Sequence, residues 1–126
     1  MISIDKTATV RTIVTDKNTA TAVGSGSLDV FATPMMIALM EQAACECIAA
    51  NLETGQTSVG TQINVAHTAA SPLGVVISAT AKITAVDGRK ISFMITAHDG
   101  VNEIGNGTHE RFIIDAERFM NKLGQR

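Results

Sequence analysis

The segment from Pro34 to about Leu52 limits what this chain can fold into more than any other, because it reads as a helix with almost no wet face. Thr33-Pro34 is a start signal: a capping hydroxyl, then a proline at the first helical position, where its missing N–H costs nothing. Thr54-Gly55 supplies the stop. Between them Met35, Met36, Ile37, Leu39, Met40, Ala43, Ala44, Cys45, Cys47, Ile48, Ala49 and Ala50 cover the cylinder nearly all round. Such a helix is stable only when other elements wrap it.

The rest of the chain offers a sheet to do so. Extended runs are expected at Ser58–Ala69, Val75–Val86, Arg89–His98 and about Val101–Asp115, with Asp87-Gly88 and Asp99-Gly100 as hairpin turns. Alternation marks inner faces at Val75, Ile77, Ala79, Ala81, Ile83 and Ala85, and again at Ile91, Phe93, Ile95 and Ala97. Residues 7–15, rich in β-branched side chains, and 19–23 read as an N-terminal hairpin, and Gly24–Ser27 as a flexible connector. Gly105 and Gly107 suggest a bulge, and Ala116–Leu123 a short tail helix with Asp115 and Glu117 at its cap. The economical packing curls an antiparallel meander around the helix, an α+β hot-dog fold over residues 1–126 as one domain. An open sheet edge and an open helix end then predict a homodimer.

Composition narrows the partners. The 126 residues carry ten Lys and Arg against twelve Asp and Glu, no Trp or Tyr and four Phe, so nucleic acid is a poor partner for want of basic excess and stacking platforms. No run approaches the roughly 20 apolar residues that span a bilayer, and the N-terminus lacks the pattern of a signal peptide, so no membrane partner and a cytoplasmic location are expected. Cys45 and Cys47, about 200° apart on a helix, are expected as buried free thiols in a reducing compartment. No P-loop, dinucleotide fingerprint or metal-ligand spacing is present, so no metal and no cofactor are expected. Asn106-Gly107-Thr108 is a chance match to a glycosylation acceptor.

Polar groups on apolar faces are the candidates for chemistry. On a 100° wheel Gln42, Glu46 and Glu53 form the solvated stripe, whereas Glu41 falls among Ile37, Ala44, Cys45 and Ile48. An inward carboxylate needs a specific partner, since burying it alone costs several kcal/mol in order of magnitude. Period two along Ser58–Ala69 puts Val59, Thr61, Ile63, Val65 and His67 on one face, so His67 ends an apolar row. Glu41 and His67 together make a candidate acid/base pair. Thr33 is read as the N-cap, with free N–H groups of Met35 and Met36 beside it suited to an oxyanion. His98 and His109 are weaker candidates, read as surface or structural.

These residues resemble the hot-dog-fold thioesterases similar to fluoroacetyl-CoA thioesterase. The resemblance runs from Gly26 to Asp115 and rests on VFATPMMIALMEQAA, VGTQINVAHTAASPLG and THERFIID. Its specific part is two spacings, eight residues from Thr33 to Glu41 and twenty-six from Glu41 to His67. It implies Thr33, Glu41 and His67 as the catalytic set, Gly60 as the residue whose backbone lies near the acyl group, and Arg111 as an arginine near the site. The chain departs from that family in one segment: where the fluoroacetyl-specific enzyme has phenylalanines forming a lid, Gly24–Ser27 has none, and Phe31 is the only aromatic nearby.

The expected activity is therefore hydrolysis of an acyl-CoA thioester carrying a small or medium acyl group, coenzyme A entering as part of the substrate. Either Glu41 attacks the acyl carbon or Glu41 and His67 activate water, with Thr33 orienting the carboxylate. Phe31, Met35 and Met36 are the expected pocket walls, and Lys82, Arg89, Lys90 and Arg111 are available for CoA phosphates. A non-catalytic acyl-CoA or small-ligand binding protein is the rival from another class. A dehydratase of the same fold would need an Asp/His hydration motif, which is absent.

Overall fold

The structure is a computed structural model describing all residues from Met1 to Arg126. In chain order it contains β1 (Thr7–Ile13), α1 (Ala20–Val23), α2 (Thr33–Ala49), β2 (Gln56–His67), β3 (Val76–Asp87), β4 (Lys90–His98), β5 (Glu103–Asp115) and α3 (Ala116–Gly124). The five strands form one antiparallel sheet in the order β1-β3-β4-β5-β2, and α2 packs against it. This is the hot-dog arrangement expected from the apolar helix.

The core lies between α2 and the middle of the sheet. Ile77, Ala79, Ala81 and Ile83 of β3 and Ile91, Phe93, Ile95 and Ala97 of β4 are fully buried with Met36, Met40, Ala43, Ala44, Cys47 and Ile48 of α2. Each large side chain among them contributes about 1.5–3 kcal/mol by leaving water. The alanines on both surfaces let helix and sheet approach closely. Ala85 leaves the inner row because the pairing of β3 with β4 shifts register between Ile83 and Ala85. On the other side of α2, Gln42 and Glu46 face solvent as expected, while Ala38 and Ala49 are exposed and Ile37 and Cys45 only half-buried beside Glu41.

The expected N-terminal hairpin does not form. Thr19 caps a single helical turn instead, its Oγ1 accepting from the Ala22 N–H at 3.2 Å, and Gly24 closes that turn at φ +78°. Four residues satisfied locally by a cap have no need of a strand partner. Strand β1 pairs with β3. The meander is likewise limited to β3, β4 and β5, because β2 crosses over to the far edge and pairs with β5. Gly105 and Gly107 are regularly paired on both sides, and the extra residue of β5 is Ile104. A Cβ at either glycine would strike α2 or β2: Met36 and the Ala66 carbonyl at Gly105, the Asn64 carbonyl and Val65 at Gly107. Asp115 caps α3 as expected, accepting from the Arg118 N–H at 2.9 Å. Cys45 and Cys47 are both free; burial raises the Cys47 thiol, and its Sγ lies 3.2 Å from the Lys6 carbonyl oxygen. No helix is long and apolar enough to cross a membrane.

Candidate active site

Two small polar assemblies sit at opposite ends of the edge strand β2. At its C-terminal end, His67 Nδ1 and Thr33 Oγ1 share a hydrogen bond of 2.7 Å. Thr33 is therefore not the cap of α2. Ala32 holds that position with no side-chain bond, and its carbonyl oxygen accepts from the N–H groups of both Met35 and Met36 at 3.0 Å. The hydroxyl is taken by the ring, and the two amides expected to be free for an oxyanion are taken by the first turn. His67 Nε2 is buried without a protein partner. Burial lowers the His67 pKa, against a smaller opposing influence from the Ala69 backbone.

At the other end, the Glu41 side chain reaches Arg111, whose NH1 donates to Oε2 at 3.0 Å. Arg111 is 6% exposed and is held in addition by Ser58: Nε donates to Oγ at 2.8 Å and NH2 to the carbonyl oxygen at 3.0 Å. The Glu41 carboxylate remains 41% exposed. It is thus anchored by one oxygen in a partly open position, and no protein donor reaches Oε1.

A bulge lets one strand serve both assemblies. Strict alternation, as expected from the sequence, would place Gly60 and His67 on opposite faces. In the pairing with β5, however, Gly60 lies opposite Arg111 and Gln62 opposite Glu110, so Thr61 is an inserted residue. The insertion reverses the phase of everything after it. Glycine at position 60 leaves the anchored carboxylate its place: a Cβ there would lie 2.6 Å from Glu41 Oε2, 3.2 Å from His109 Cε1 and 3.3 Å from Arg111 NH1.

Beside Thr33 and His67 opens a cleft of about 250 Å³ whose walls include Ala20, Ser25, Val30, Phe31, Ala69 and Ala70. The connector that follows α1 contributes only Ser25. Of the expected pocket walls, Phe31 is present; Met36 is fully buried in the core, and Met35 lines a separate groove with Arg11 and Gln42. Lys82 and Lys90 form surface pairs with Asp5 and Glu110, and Arg89 lies beside Arg118 and Phe119 at the C-terminal helix.

His109, read from sequence as surface or structural, is 1% exposed and belongs to the Glu41 assembly. Its Nδ1 lies 2.7 Å from the Gln62 carbonyl oxygen and its Nε2 3.2 Å from Arg111 NH1. The overlooked signal was period two: His109, Arg111 and Ile113 alternate inward, so the ring shares a face with the expected arginine. His98, by contrast, only caps the β4–β5 turn, accepting from the Gly100 N–H at 3.0 Å. The expected Glu41–His67 pair is not formed within one chain. Eight residues of α2 separate Thr33 from Glu41, a rise of about 12 Å.

The whole chain superposes on the solved structure of the fluoroacetyl-CoA thioesterase FlK with a TM-score of 0.95, at 39% identity and covering 98% of it. A complex of a phenylalanine-to-alanine mutant of FlK with fluoroacetate and CoA matches 93% of this chain and 98% of its own, at 41% identity and a TM-score of 0.87. The fold is that of a hot-dog thioesterase. Residues 14–117 match the model of the fluoroacetyl-CoA-specific thioesterases, and the fluoroacetyl-CoA thioesterase of Streptantibioticus cattleyicolor is 49% identical over 98 residues, 78% of this chain and 70% of that protein. The chain belongs to the FlK family.

Proposed function

We propose that this thioesterase hydrolyses coenzyme A thioesters of small and medium acyl groups, with Glu41 and His67 as the reacting groups and Thr33 fixing the imidazole. The observation that carries the reading is the Glu41 carboxylate, anchored through one oxygen and open at the other, against a glycine whose missing side chain leaves room at that point of β2. In one route Glu41 Oε1 attacks the acyl carbon, the C–S bond breaks, the thiolate of CoA takes a proton, and water then cleaves the mixed anhydride. In the other, Glu41 accepts a proton from water as its oxygen attacks the same carbon. In the second route His67, with Nδ1 engaged and Nε2 free, is suited to relay that proton to the leaving thiolate; in the first the thiolate takes its proton from solvent, and His67 accepts one from the water that cleaves the anhydride. Thr33 acts on the ring and not on the carboxylate. Single turnover in heavy-oxygen water detects the first route, because only an anhydride opened by water at the glutamyl carbonyl puts label in Glu41 itself.

The separation of about 12 Å along α2 is bridged by a second copy: in a two-fold homodimer, Glu41 of one subunit meets His67 of the other, the ring held by Thr33 of its own subunit. The free edge of β2 and the half-open strip around Ile37 and Cys45 support this assembly. The test is release of free thiol from a panel of acyl-CoAs, using Glu41→Ala, His67→Ala and an equimolar mixture of the two reassembled from denaturant. The single variants should be inactive, and the mixture should recover about a quarter of wild-type activity, since half of the dimers carry one intact site of two. Turnover by wild type no greater than by the single variants would leave a binding protein. Inactive single variants with an equally inactive mixture would refute the shared site.

A further inference from the structure

We infer that His109 is a positioning residue for this site, the lone pair on its Nε2 holding the Arg111 guanidinium in the orientation that fixes Glu41. The inference rests on the catalytic reading of Glu41 and assigns a function to a buried imidazole that the reaction itself does not use. The geometry sets the tautomer. The partner of Nδ1 is the Gln62 carbonyl oxygen, which can only accept, so Nδ1 carries the proton. The lone pair is then on Nε2, facing an N–H of Arg111 at 3.2 Å.

Arg111 has five N–H groups, and four have partners: two on Ser58, one on Glu41 and one on His109. The Ser58 bonds hold the Nε and NH2 side of the fork, and His109 holds NH1, the nitrogen that also carries Glu41. Without the lone pair that nitrogen keeps an unpaired N–H in a buried place and is free to turn toward another acceptor. The ring has no such freedom, since it stacks on Phe93 of β4 with centroids 5.9 Å apart.

Protonation would turn the contact around. An imidazolium would point an N–H at a guanidinium that has no lone pair to offer. Burial lowers the His109 pKa and Arg111 acts in the same direction, while the Gln62 carbonyl, Glu41 on α2 and Glu110 on β5 oppose them. His109 is therefore a neutral prop and not a general acid.

The test compares His109→Phe, which fills the space without a lone pair, with His109→Gln, which returns an acceptor near the Nε2 position. In His109→Phe, kcat should fall about 10- to 100-fold with KM within about threefold, and His109→Gln should regain most of the loss. In the ring nitrogen spectrum of the wild-type protein, His109 should be the Nδ1–H tautomer and stay neutral to more acid pH than a free histidine. Full kcat in His109→Phe while Glu41→Gln is silent would overturn the positioning role alone. An active Glu41→Gln would overturn the catalytic reading and this inference with it. An Nε2–H tautomer or a charged ring would overturn the inference even if His109→Phe failed to fold.

Discussion

Thr33 and His67 are joined by a 2.7 Å hydrogen bond that ties the first turn of the central helix to the last residue of the edge strand. The bond leaves the helix capped by backbone alone and gives the hydroxyl a single task, to hold the ring. Thr33→Val should therefore lower kcat about 100-fold or more while Thr33→Ser keeps most of it. Thermal unfolding of both should stay close to wild type. A Thr33→Val enzyme of normal kcat would show that the ring needs no such hold.

Burial lowers the His67 pKa from its ordinary 6.5, so the neutral ring persists to more acid pH than that of a free histidine. The acid limb of kcat/KM should accordingly lie below about pH 6.5. The linkage to stability has a definite sign. Below the unfolded value the denatured chain takes up protons that folded His67 and His109, both lowered by burial, do not. Stability should thus be full above about pH 6.5 and fall as the solution becomes more acid, and urea midpoints across that range check it.

Gly60→Ala should impair chemistry more than folding. Its Cβ meets the end of a flexible side chain, Glu41 Oε2, which can swing aside but only by leaving Arg111. The expected result is a kcat lower by about 100-fold with a stability loss of about 1 kcal/mol. An alanine enzyme of normal kcat would mean that the anchored carboxylate is not the reacting one.

Gly107→Ala should do the reverse. Here the added atom strikes backbone, the Asn64 carbonyl and Val65 Cα, so β2 and β5 must separate. A loss of about 3 kcal/mol is expected from overpacking, read from the urea midpoint.

Selectivity follows from the cleft. With a volume of about 250 Å³ and the small residues Ala20, Ser25, Ala69 and Ala70 among its walls, it leaves room for more than a two-carbon group. Each further methylene buried adds about 0.8 kcal/mol. We expect kcat/KM for four- to eight-carbon acyl-CoAs to match or exceed that for acetyl-CoA, and fluoroacetyl-CoA to be favoured over acetyl-CoA only modestly. A preference of several thousandfold for the fluorinated substrate, with no activity on longer chains, would refute this.

What the sequence made legible was whatever depends on long, regular patterns. The all-round apolar run announced α2, and strict alternation announced the inner rows of β3 and β4 as far as the register shift after Ile83, beyond which Ala85 turns outward. Errors came where a short-range bond decided the outcome. A Thr19 cap turned residues 20–23 into a helix, and a hydroxyl that reads as a cap at Thr33 found a ring 34 residues away. Glu41 needed a partner, as its place on the wheel required, and within one chain that partner is Arg111. His109 was overlooked because a lone histidine carries no mark of burial until its neighbours two and four places on are read with it.

The residue inserted at Thr61 works as a phase counter for the edge strand. Substitution there should be mild, because the side chain is exposed and donates only to the Glu110 carbonyl. Deletion is another matter. Removing one residue between Gly60 and His67 would leave composition, charge and hydropathy almost unchanged, yet rotate half the strand and turn either the glycine or the imidazole to the solvent side. Across sequences sharing this site, the stretch from Gly60 to His67 should vary in letters and not in length, a constraint invisible to any score that weighs positions one at a time.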